Sequence, residues 1–195
     1  MQQLLVCTHN KGKLIEIKDL LSDLNVTVVS LDDVGINFDV EENSDTYEEN
    51  AILKAKQYGE ASNLISLADD TGLEVRALDN APGVHSKRFF KTSGEKRNSE
   101  LIKMLVGKSD NFAKFVASVA VYNPKDKSIK TFSGEVEGQI VDSVGSAHRD
   151  LGYDSIFKIT KLGKTFAQAL LAEKNSISHR AVAVRKAKKY IETLL

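Results

Sequence analysis

The sequence has few of the features that mark secreted, membrane-spanning or zinc-binding proteins. Cys7 is the only cysteine, so no disulfide can form within the chain, which is typical of a reducing compartment. Four histidines and this one cysteine form no zinc-ligand pattern. No apolar run is long enough to cross a bilayer, and no charged region precedes a secretory core. We therefore expect a cytoplasmic protein with no membrane partner.

Neither sign of charge is in excess. Lys plus Arg and Asp plus Glu each number 27, so the formal net charge is zero. This balance argues against a broad nucleic-acid-binding surface but is compatible with a local basic cluster. Hydrophobic residues make up 42% and charged residues 28% of the 195 residues, which is typical of a globular protein. The length favours one domain over residues 1–195, with a sizeable core.

Hydrophobic periodicity predicts an α/β fold with a mixed sheet. The run Gln3–Cys7 is strand-like, helical spacing follows, and the next strand-like run ends at Ser30, so the opening is β-α-β with parallel strands. Thr46 and Glu49 match a capping box at the start of a second helix. Past the middle, two long strand-like runs flank the turn-rich "NPKDKS" and predict an antiparallel hairpin.

The segment from Thr8 to Lys13, "THNKGK", lies between the first predicted strand and the first predicted helix. Such a turn exposes backbone N–H groups at a helix N-terminus, which suits a phosphate. Thr8 and Asn10 can hydrogen-bond to phosphate oxygens, and Lys13 adds a positive charge. The glycine spacing is not that of a Walker A loop, and a capped turn with a solvated lysine explains the same residues.

Two adjacent aspartates, Asp69 and Asp70, follow the predicted buried strand Leu64–Ala68. In α/β folds, ligands bind beyond the carboxyl ends of strands. Adjacent carboxylates repel each other, so at such a position they require a cation, a proton or hydrogen-bond donors. Mg²⁺, which takes one or two carboxylates together with substrate phosphates, meets this requirement. A polar turn that caps the next segment is the alternative.

Further candidate residues lie around the second predicted helix. Glu48 and Glu49 stand in its first turn, where capping and the helix dipole explain them without a ligand. Glu42 lies in the preceding loop and is therefore the better candidate metal ligand. Lys54 shares a helical face with Tyr47, and a solvated surface lysine is the alternative explanation for it.

Two segments near the C-terminus carry candidate ligand-binding residues. Tyr153 can stack on a base and Asp154 can accept a hydrogen bond from a base N–H; a loop with a half-buried tyrosine is the alternative. Lys174, His179 and Arg180 stand around the predicted start of the last helix. The Arg180 guanidinium suits a phosphate or a base carbonyl. Three basic groups near one helix start favour an anionic ligand over an ordinary surface.

Taken in order, these segments resemble the inosine triphosphate pyrophosphatase family, the HAM-type or non-canonical purine nucleotide pyrophosphatases. The resemblance runs nearly end to end and is carried by "THNKGK", "DTYEENAILKA", "ADDTGLEV", "PGVHSKRFF", "FSGEVEGQI", "LGYDSIF" and "KNSISHRAVA". It implies an elongated two-lobed fold with a central cleft, in one bilobed domain and usually a homodimer. It also implies Mg²⁺-dependent hydrolysis of ITP, dITP and XTP to the monophosphate and pyrophosphate, which keeps damaged purines out of DNA and RNA.

The resemblance assigns roles to individual residues. Asp70 is implied to accept the proton of the attacking water and to bind metal, with Glu42 and Asp69 as further metal ligands. The residues implied to bind substrate are Thr8, His9, Asn10, Lys11, Gly12 and Lys13 for the triphosphate, Lys54, Thr71 and Lys174 for the nucleotide, and Leu151, Gly152, Tyr153, Asp154, His179 and Arg180 for the base. On this basis, Arg180→Ala is expected to damage ITP affinity or selectivity more than folding stability.

The sequence also departs from the family pattern. Ser44 stands where glycine is common, Ser155 where proline is common, Thr71 where serine is common and Asp150 where glycine is usual. Leu151 replaces a phenylalanine, which weakens base stacking worth about 1–3 kcal/mol. This change keeps open a second hypothesis, a house-cleaning pyrophosphatase for modified pyrimidine or methylated nucleotides. A non-catalytic nucleotide-binding protein is the third.

Overall fold

The computed structural model describes residues 2–142 and 152–195. The strands are β1 (Gln3–Val6), β2 (Thr27–Ser30), β3 (Ile65–Val75), β4 (Pro82–Gly83), β5 (Phe112–Asn123), β6 (Ser128–Ile140) and β7 (Phe157–Ile159). The helices are α1 (Lys11–Leu20), α2 (Tyr47–Ser62), α3 (Gly94–Met104), α4 (Leu171–Ile177) and α5 (His179–Ile191). No helix of the described residues is long and apolar enough to cross a membrane.

The strands form a mixed sheet, as the sequence predicted. Their order is β2-β1-β3-β5-β6-β7, and β4 pairs with β3. β1 is parallel to both β2 and β3, which confirms the predicted β-α-β opening. β4 is antiparallel to β3, and β7 is antiparallel to β6. β5 and β6 are neighbours in the sheet, as the predicted hairpin requires.

The chain divides into two compact units. The first comprises Met1–Asp70, Ala117–Gly134 and His179–Leu195, and the second comprises Thr71–Val116 and Glu135–Ser178. The boundary between Asp70 and Thr71 falls inside β3. Whether the two units act as one bilobed domain stays a prediction.

The first unit buries both faces of its sheet. Leu4 and Val6 belong to an apolar cluster with α1 and α5, whereas Leu5 and Cys7 belong to another cluster with α2. Successive strand residues point to opposite faces, so helices on both sides explain why the β1 sequence is continuously apolar. The same alternation continues along β3, where Leu67 lies in the first cluster and Ala68 in the second.

The start of α5 lies close to the backbone of β6 in the first unit. A Cβ at Gly134 would collide with the His179 carbonyl oxygen and would lie 2.7 Å from the Ala183 amide nitrogen. Glycine at this position therefore permits the close approach of α5 to β6. This contact sets the position of His179 and Arg180, the first two residues of α5.

The second unit has its own core. The rings of Phe115, Phe157 and Phe166 pack together, with centroid separations of 4.8 to 5.7 Å. Tyr153, Ile156 and other apolar residues of the unit complete this cluster.

Two sequence expectations about local structure need correction. The predicted strand Leu64–Ala68 does not end in a turn at Asp69, because β3 continues through the aspartates to Val75. The strand-like segment Glu74–Leu78 is only partly a strand, since β3 ends at Val75 and Arg76–Leu78 form a 3₁₀ turn. β3 pairs with β1 at Ile65–Leu67 and with β4 at Leu73–Glu74, on either side of the polar segment, and β5 is its other neighbour in the sheet. Local composition alone does not indicate this pairing.

Candidate active site

Asp69 points to the side of β3 on which α1 and α5 lie, and it is enclosed by cations. Its Oδ2 is 3.0 Å from Lys13 Nζ and 3.1 Å from Arg180 Nε, and its side chain is 0% exposed. Burial alone raises the pKa of a carboxyl, but Lys13 and Arg180 hold the pKa of Asp69 well below its usual range. Asp69 is therefore a fully buried carboxylate that is ionised at neutral pH.

Arg180 links Asp69 to a second buried carboxylate. Its Nη1 forms an ion pair with Glu16 of α1, in addition to the Nε contact with Asp69. Glu16 and Arg180 are 1% and 4% exposed, so this ion pair lies in the interior of the first unit. A buried pair of this kind is costly to break from one side, because the remaining charge loses its partner.

Asp70 points to the opposite side of β3, toward α2, as strand alternation requires. Asn50 Nδ2 donates to its Oδ2 at 3.1 Å, and Lys54 Nζ lies 3.6 Å from its Oδ1. Burial raises the pKa of Asp70 above its ordinary value; Lys54 and Lys13 oppose that rise, and nearby Glu42 adds to it. Asp70 is therefore a stronger base than its neighbour Asp69.

Lys54 connects the loop before α2 to the aspartates. Its Nζ donates to Glu42 Oε1 at 2.5 Å and to the Asp69 carbonyl oxygen at 2.7 Å. Burial lowers the pKa of the Lys54 ammonium, but Asp70, Asp69 and Glu42 together outweigh that effect, so its pKa is raised. Lys54 is consequently a buried cation and not the solvated surface lysine of the alternative explanation.

The segment Thr8–Lys13 forms the turn from β1 into α1. Asn10 is the N-cap of α1, since its Oδ1 accepts from the amides of Gly12 at 2.9 Å and Lys13 at 3.1 Å. Thr8 Oγ1 accepts from the Asn10 amide. His9 Nε2 lies 3.2 Å from the Phe38 carbonyl oxygen. The described contacts of Thr8 and Asn10 are therefore capping contacts, and phosphate binding here stays a prediction.

The other predicted site residues are distributed between the units. In the first unit, His179 is 2% exposed at the first position of α5. In the second unit, Asp154 and Lys174 form an ion pair and are both buried. Gly152 precedes Asp154 by two residues and has a φ of +75°, and Thr71 is the unit's first residue. Leu151 lies outside the described residues.

Tyr153 is not positioned as an exposed stacking surface. It is 2% exposed, its hydroxyl donates to the Ser86 carbonyl oxygen at 3.1 Å, and burial raises its pKa to about 12. The Arg97 guanidinium lies over its ring at 4.5 Å. The neighbouring Ser155 is also held, since Asn98 Nδ2 donates to its hydroxyl at 2.8 Å. This segment of the second unit is therefore fixed by α3.

Comparison with known proteins identifies the family of this chain. A model of the Ham1 family matches residues 4–190. The chain belongs to the Ham1 family. A dITP/XTP pyrophosphatase from Thermoanaerobacter sp. (strain X514) is 39% identical over 193 residues, which are 97% of this chain and 96% of that protein. The ordered motifs had predicted this membership, and it is confirmed.

Solved structures of Ham1 proteins share the fold. The Staphylococcus aureus Ham1 protein superposes with a TM-score of 0.84 at 35% identity and covers 100% of both chains. The HAM1 protein from Coxiella burnetii has a TM-score of 0.86 at 31% identity, with 99% of this chain and 100% of that chain covered. The mixed α/β fold predicted from the sequence is therefore confirmed.

Two polar residues of this Ham1-family chain were not identified from sequence. Glu16 stands beside the apolar positions Ile17 and Leu20 of α1, and a charged residue next to a buried helix face is a signal of an internal ion pair. Asn50 is 1% exposed on α2, four residues before Lys54, and contacts Asp70. The sequence signal for Asn50 was its spacing of four residues from Lys54, which places both side chains on one face of the helix.

Glu42 and Asp70 are the carboxylates that fit a divalent cation. Lys54 Nζ already lies 2.5 Å from Glu42 and 3.6 Å from Asp70, so a positive group can approach both side chains. Among the described residues, no group of three or more His, Cys, Asp or Glu side chains is gathered to hold a metal ion. Two carboxylates suit Mg²⁺, which takes its remaining ligands from water and substrate phosphates.

Proposed function

We propose that this chain hydrolyses non-canonical purine nucleoside triphosphates, namely ITP, dITP and XTP, to the monophosphate and pyrophosphate. The observation that carries this proposal is the contrast between Asp69 and Asp70. The charge of Asp69 is compensated by Lys13 and Arg180, which lower its pKa. Asp70 is also buried, but its pKa is raised. Similarity to proteins named dITP/XTP pyrophosphatase supports the substrate class.

Asp70 is the proposed proton acceptor. A water held by Asp70 attacks phosphorus, its proton passes to the carboxylate, and the anhydride bond between the α- and β-phosphates breaks to release pyrophosphate. Asn50 donates to one carboxylate oxygen, Oδ2, which orients the group for this step. A general base of this kind contributes about 10²- to 10⁴-fold to the rate.

Glu42 and Asp70 are the residues that would hold Mg²⁺. The charged cluster of the first unit has four carboxylates and three cations, so it carries one excess negative charge when all are ionised: Glu16, Glu42, Asp69 and Asp70, with Lys13, Lys54 and Arg180. A triphosphate would be repelled by that balance. Bound Mg²⁺ supplies the missing positive charge and stabilises the charge on the phosphates.

Lys13 is the proposed phosphate contact at the start of α1. Its side chain is 22% exposed, whereas the Asp69 carboxylate that it contacts is 0% exposed. Because the helix N-terminus also favours anions, Lys13 and the exposed Lys11 suit the triphosphate. Thr8, His9, Asn10 and Gly12 shape this turn.

For the base, we propose that Lys174 and Asp154 supply part of the discrimination. Lys174 can donate to a 6-keto oxygen, and Asp154 holds that ammonium in place. Adenine carries an amine at this position and would leave the donor without an acceptor, which is a strong penalty in a buried site. Rejecting GTP requires a further feature, such as no acceptor for the 2-amino group. We further propose that His179 and Arg180, the first two residues of α5, are base-binding residues, as the family resemblance implies.

A nucleotide panel tests the proposed function. Pyrophosphate release is measured with ITP, dITP, XTP, ATP, GTP, and modified pyrimidine and methylated nucleotides, with Mg²⁺ and with a chelator. We expect ITP and XTP to be hydrolysed well above ATP and GTP, and only with Mg²⁺. Equal turnover of ITP, XTP, ATP and GTP contradicts the selectivity, and preference for a modified pyrimidine or methylated nucleotide favours the second hypothesis. Tight binding without release favours the nucleotide-binding protein.

A further inference from the structure

One face of α2 holds the loop that carries Glu42. Asn50, Lys54 and Tyr58 are spaced four residues apart, so their side chains lie along one face of the helix. Each of them contacts this loop, which precedes α2 in the chain. The loop is therefore attached to α2 at three positions, which are spaced about one helical turn apart.

Tyr58 makes the contact farthest from the aspartates. Its hydroxyl donates to the Phe38 carbonyl oxygen at 3.2 Å and accepts from the Val40 amide at 3.3 Å. Its ring stacks on Phe38 with a centroid separation of 5.3 Å. His9 Nε2 lies 3.2 Å from the same Phe38 carbonyl oxygen, so the turn before α1 contacts this point too.

Asn50 makes the contact on the other side of Glu42. Its Oδ1 accepts from the Ser44 amide at 3.1 Å, and its Nδ2 donates to the Ser44 carbonyl oxygen at 3.2 Å. The backbone is thus held at Phe38–Val40 and at Ser44. Glu42 lies between these anchors and contacts α2 through the side-chain bond with Lys54.

We propose that Tyr58 is a positioning residue for Glu42. This inference rests on the proposed function, in which Glu42 would hold Mg²⁺, and for that step the Glu42 side chain would exchange its Lys54 contact for the metal ion. A loop held through the Glu42–Lys54 bond alone would be released at that exchange. The backbone anchors at Tyr58 and Asn50 keep the loop on α2 while the Glu42 side chain changes partner. The Tyr58 hydroxyl bonds to the loop backbone at Phe38 and Val40, whereas the Asn50 side chain bonds both to the loop and to Asp70.

Tyr58→Phe tests this role, because it keeps the ring and removes the hydroxyl that holds the loop. Tyr122→Phe is the matched control: Tyr122 is 2% exposed in the same apolar cluster, and its hydroxyl contacts Glu60 instead of the loop. Both variants are first required to melt within a few degrees of each other. Three quantities are then compared: exchange of the Val40 amide hydrogen, Mn²⁺ affinity with a non-hydrolysable ITP analogue, and the Mg²⁺ concentration for half-maximal turnover.

In Tyr58→Phe we expect faster Val40 exchange, about fivefold weaker Mn²⁺ binding and a similar rise in the Mg²⁺ requirement, since both hydrogen bonds of the hydroxyl with the loop backbone are lost. The rate at saturating Mg²⁺ should stay close to that of Tyr122→Phe. Unchanged Mn²⁺ affinity overturns the proposal, whether or not Val40 exchanges faster. If the wild type hydrolyses no nucleotide, the proposed function fails, and Mn²⁺ binding still tests Tyr58 independently.

Discussion

Asp69 and Asp70 are sequence neighbours with opposite surroundings. Strand alternation places Asp69 beside Lys13 and Arg180, and Asp70 beside Asn50 and Lys54. The first arrangement stabilises the ionised form, whereas burial of Asp70 makes its ionised form less favourable. One carboxylate is thus suited to hold the structure and the other to accept a proton.

Asp69→Asn should lower stability, because it removes a buried carboxylate from two cations. We expect a loss of about 3 kcal/mol at neutral pH in denaturant unfolding. The pKa of Asp69 is depressed by folding, so its contribution is present above the ordinary pKa of about 3.9 and is lost as pH falls below that value. The variant should therefore lose less stability on acidification than the wild type. Exposed Asp45→Asn is the control; an equal acid dependence in all three proteins refutes this role.

Arg180→Ala should also destabilise the fold, which revises the expectation drawn from sequence. The guanidinium is 4% exposed and pairs with Glu16 and Asp69, so its removal leaves two buried carboxylates poorly compensated. We expect a cost of about 3–5 kcal/mol. Thermal unfolding should show little change for Arg185→Ala, an exposed arginine on the same helix. Similar melting temperatures for both variants would contradict the buried network.

At the scale of elements, the contact of α5 with β6 controls where Arg180 lies. Gly134→Ala places a Cβ against the His179 carbonyl and the Ala183 amide, both of which are backbone groups that cannot rotate away. We expect a destabilisation of about 1–3 kcal/mol and reduced turnover. Calorimetry and pyrophosphate release measure both effects. The exposed neighbour Ser133→Ala is the control, and a Gly134→Ala protein as stable and active as this control contradicts the close approach.

Most elements could be predicted from the sequence because their signals are local. Thr46 does cap α2, where its Oγ1 accepts from the Glu49 amide at 3.2 Å. Ser93 stands at the N-cap of α3, but its side chain makes no capping hydrogen bond among the described residues. The polar part of β3 was missed, because its continuation depends on the neighbouring strands of the sheet and not on the residues themselves.

At the scale of the whole molecule, the family followed from seven ordered motifs and the mixed sheet from hydrophobic periodicity, whereas the contacts within the site followed from neither. Asp69, Asp70 and Lys13 were recognisable because each lies at the end of a predicted element. The link from Arg180 to Glu16 joins residues 164 positions apart. No local pattern encodes such a pairing, and packing of α5 against α1 creates it. The roles carried over from the family stay predictions.

The association state is a separate prediction of the family resemblance. We propose a homodimer, for which light scattering coupled to size-exclusion chromatography is the measurement. The expected mass is twice the 21.5 kDa of one chain. A mass of one chain throughout the micromolar range contradicts the dimer and leaves the catalytic proposal unaffected.

The role of Asp70 as proton acceptor is tested by the variant Asp70→Asn. Pyrophosphate release from ITP is measured for this variant and the wild type at saturating Mg²⁺, with ITP binding measured by calorimetry on the same preparations. We predict retained binding, a melting temperature no lower than that of the wild type, and turnover reduced at least about 10²-fold. Turnover within a few-fold of the wild type would exclude Asp70 as the proton acceptor.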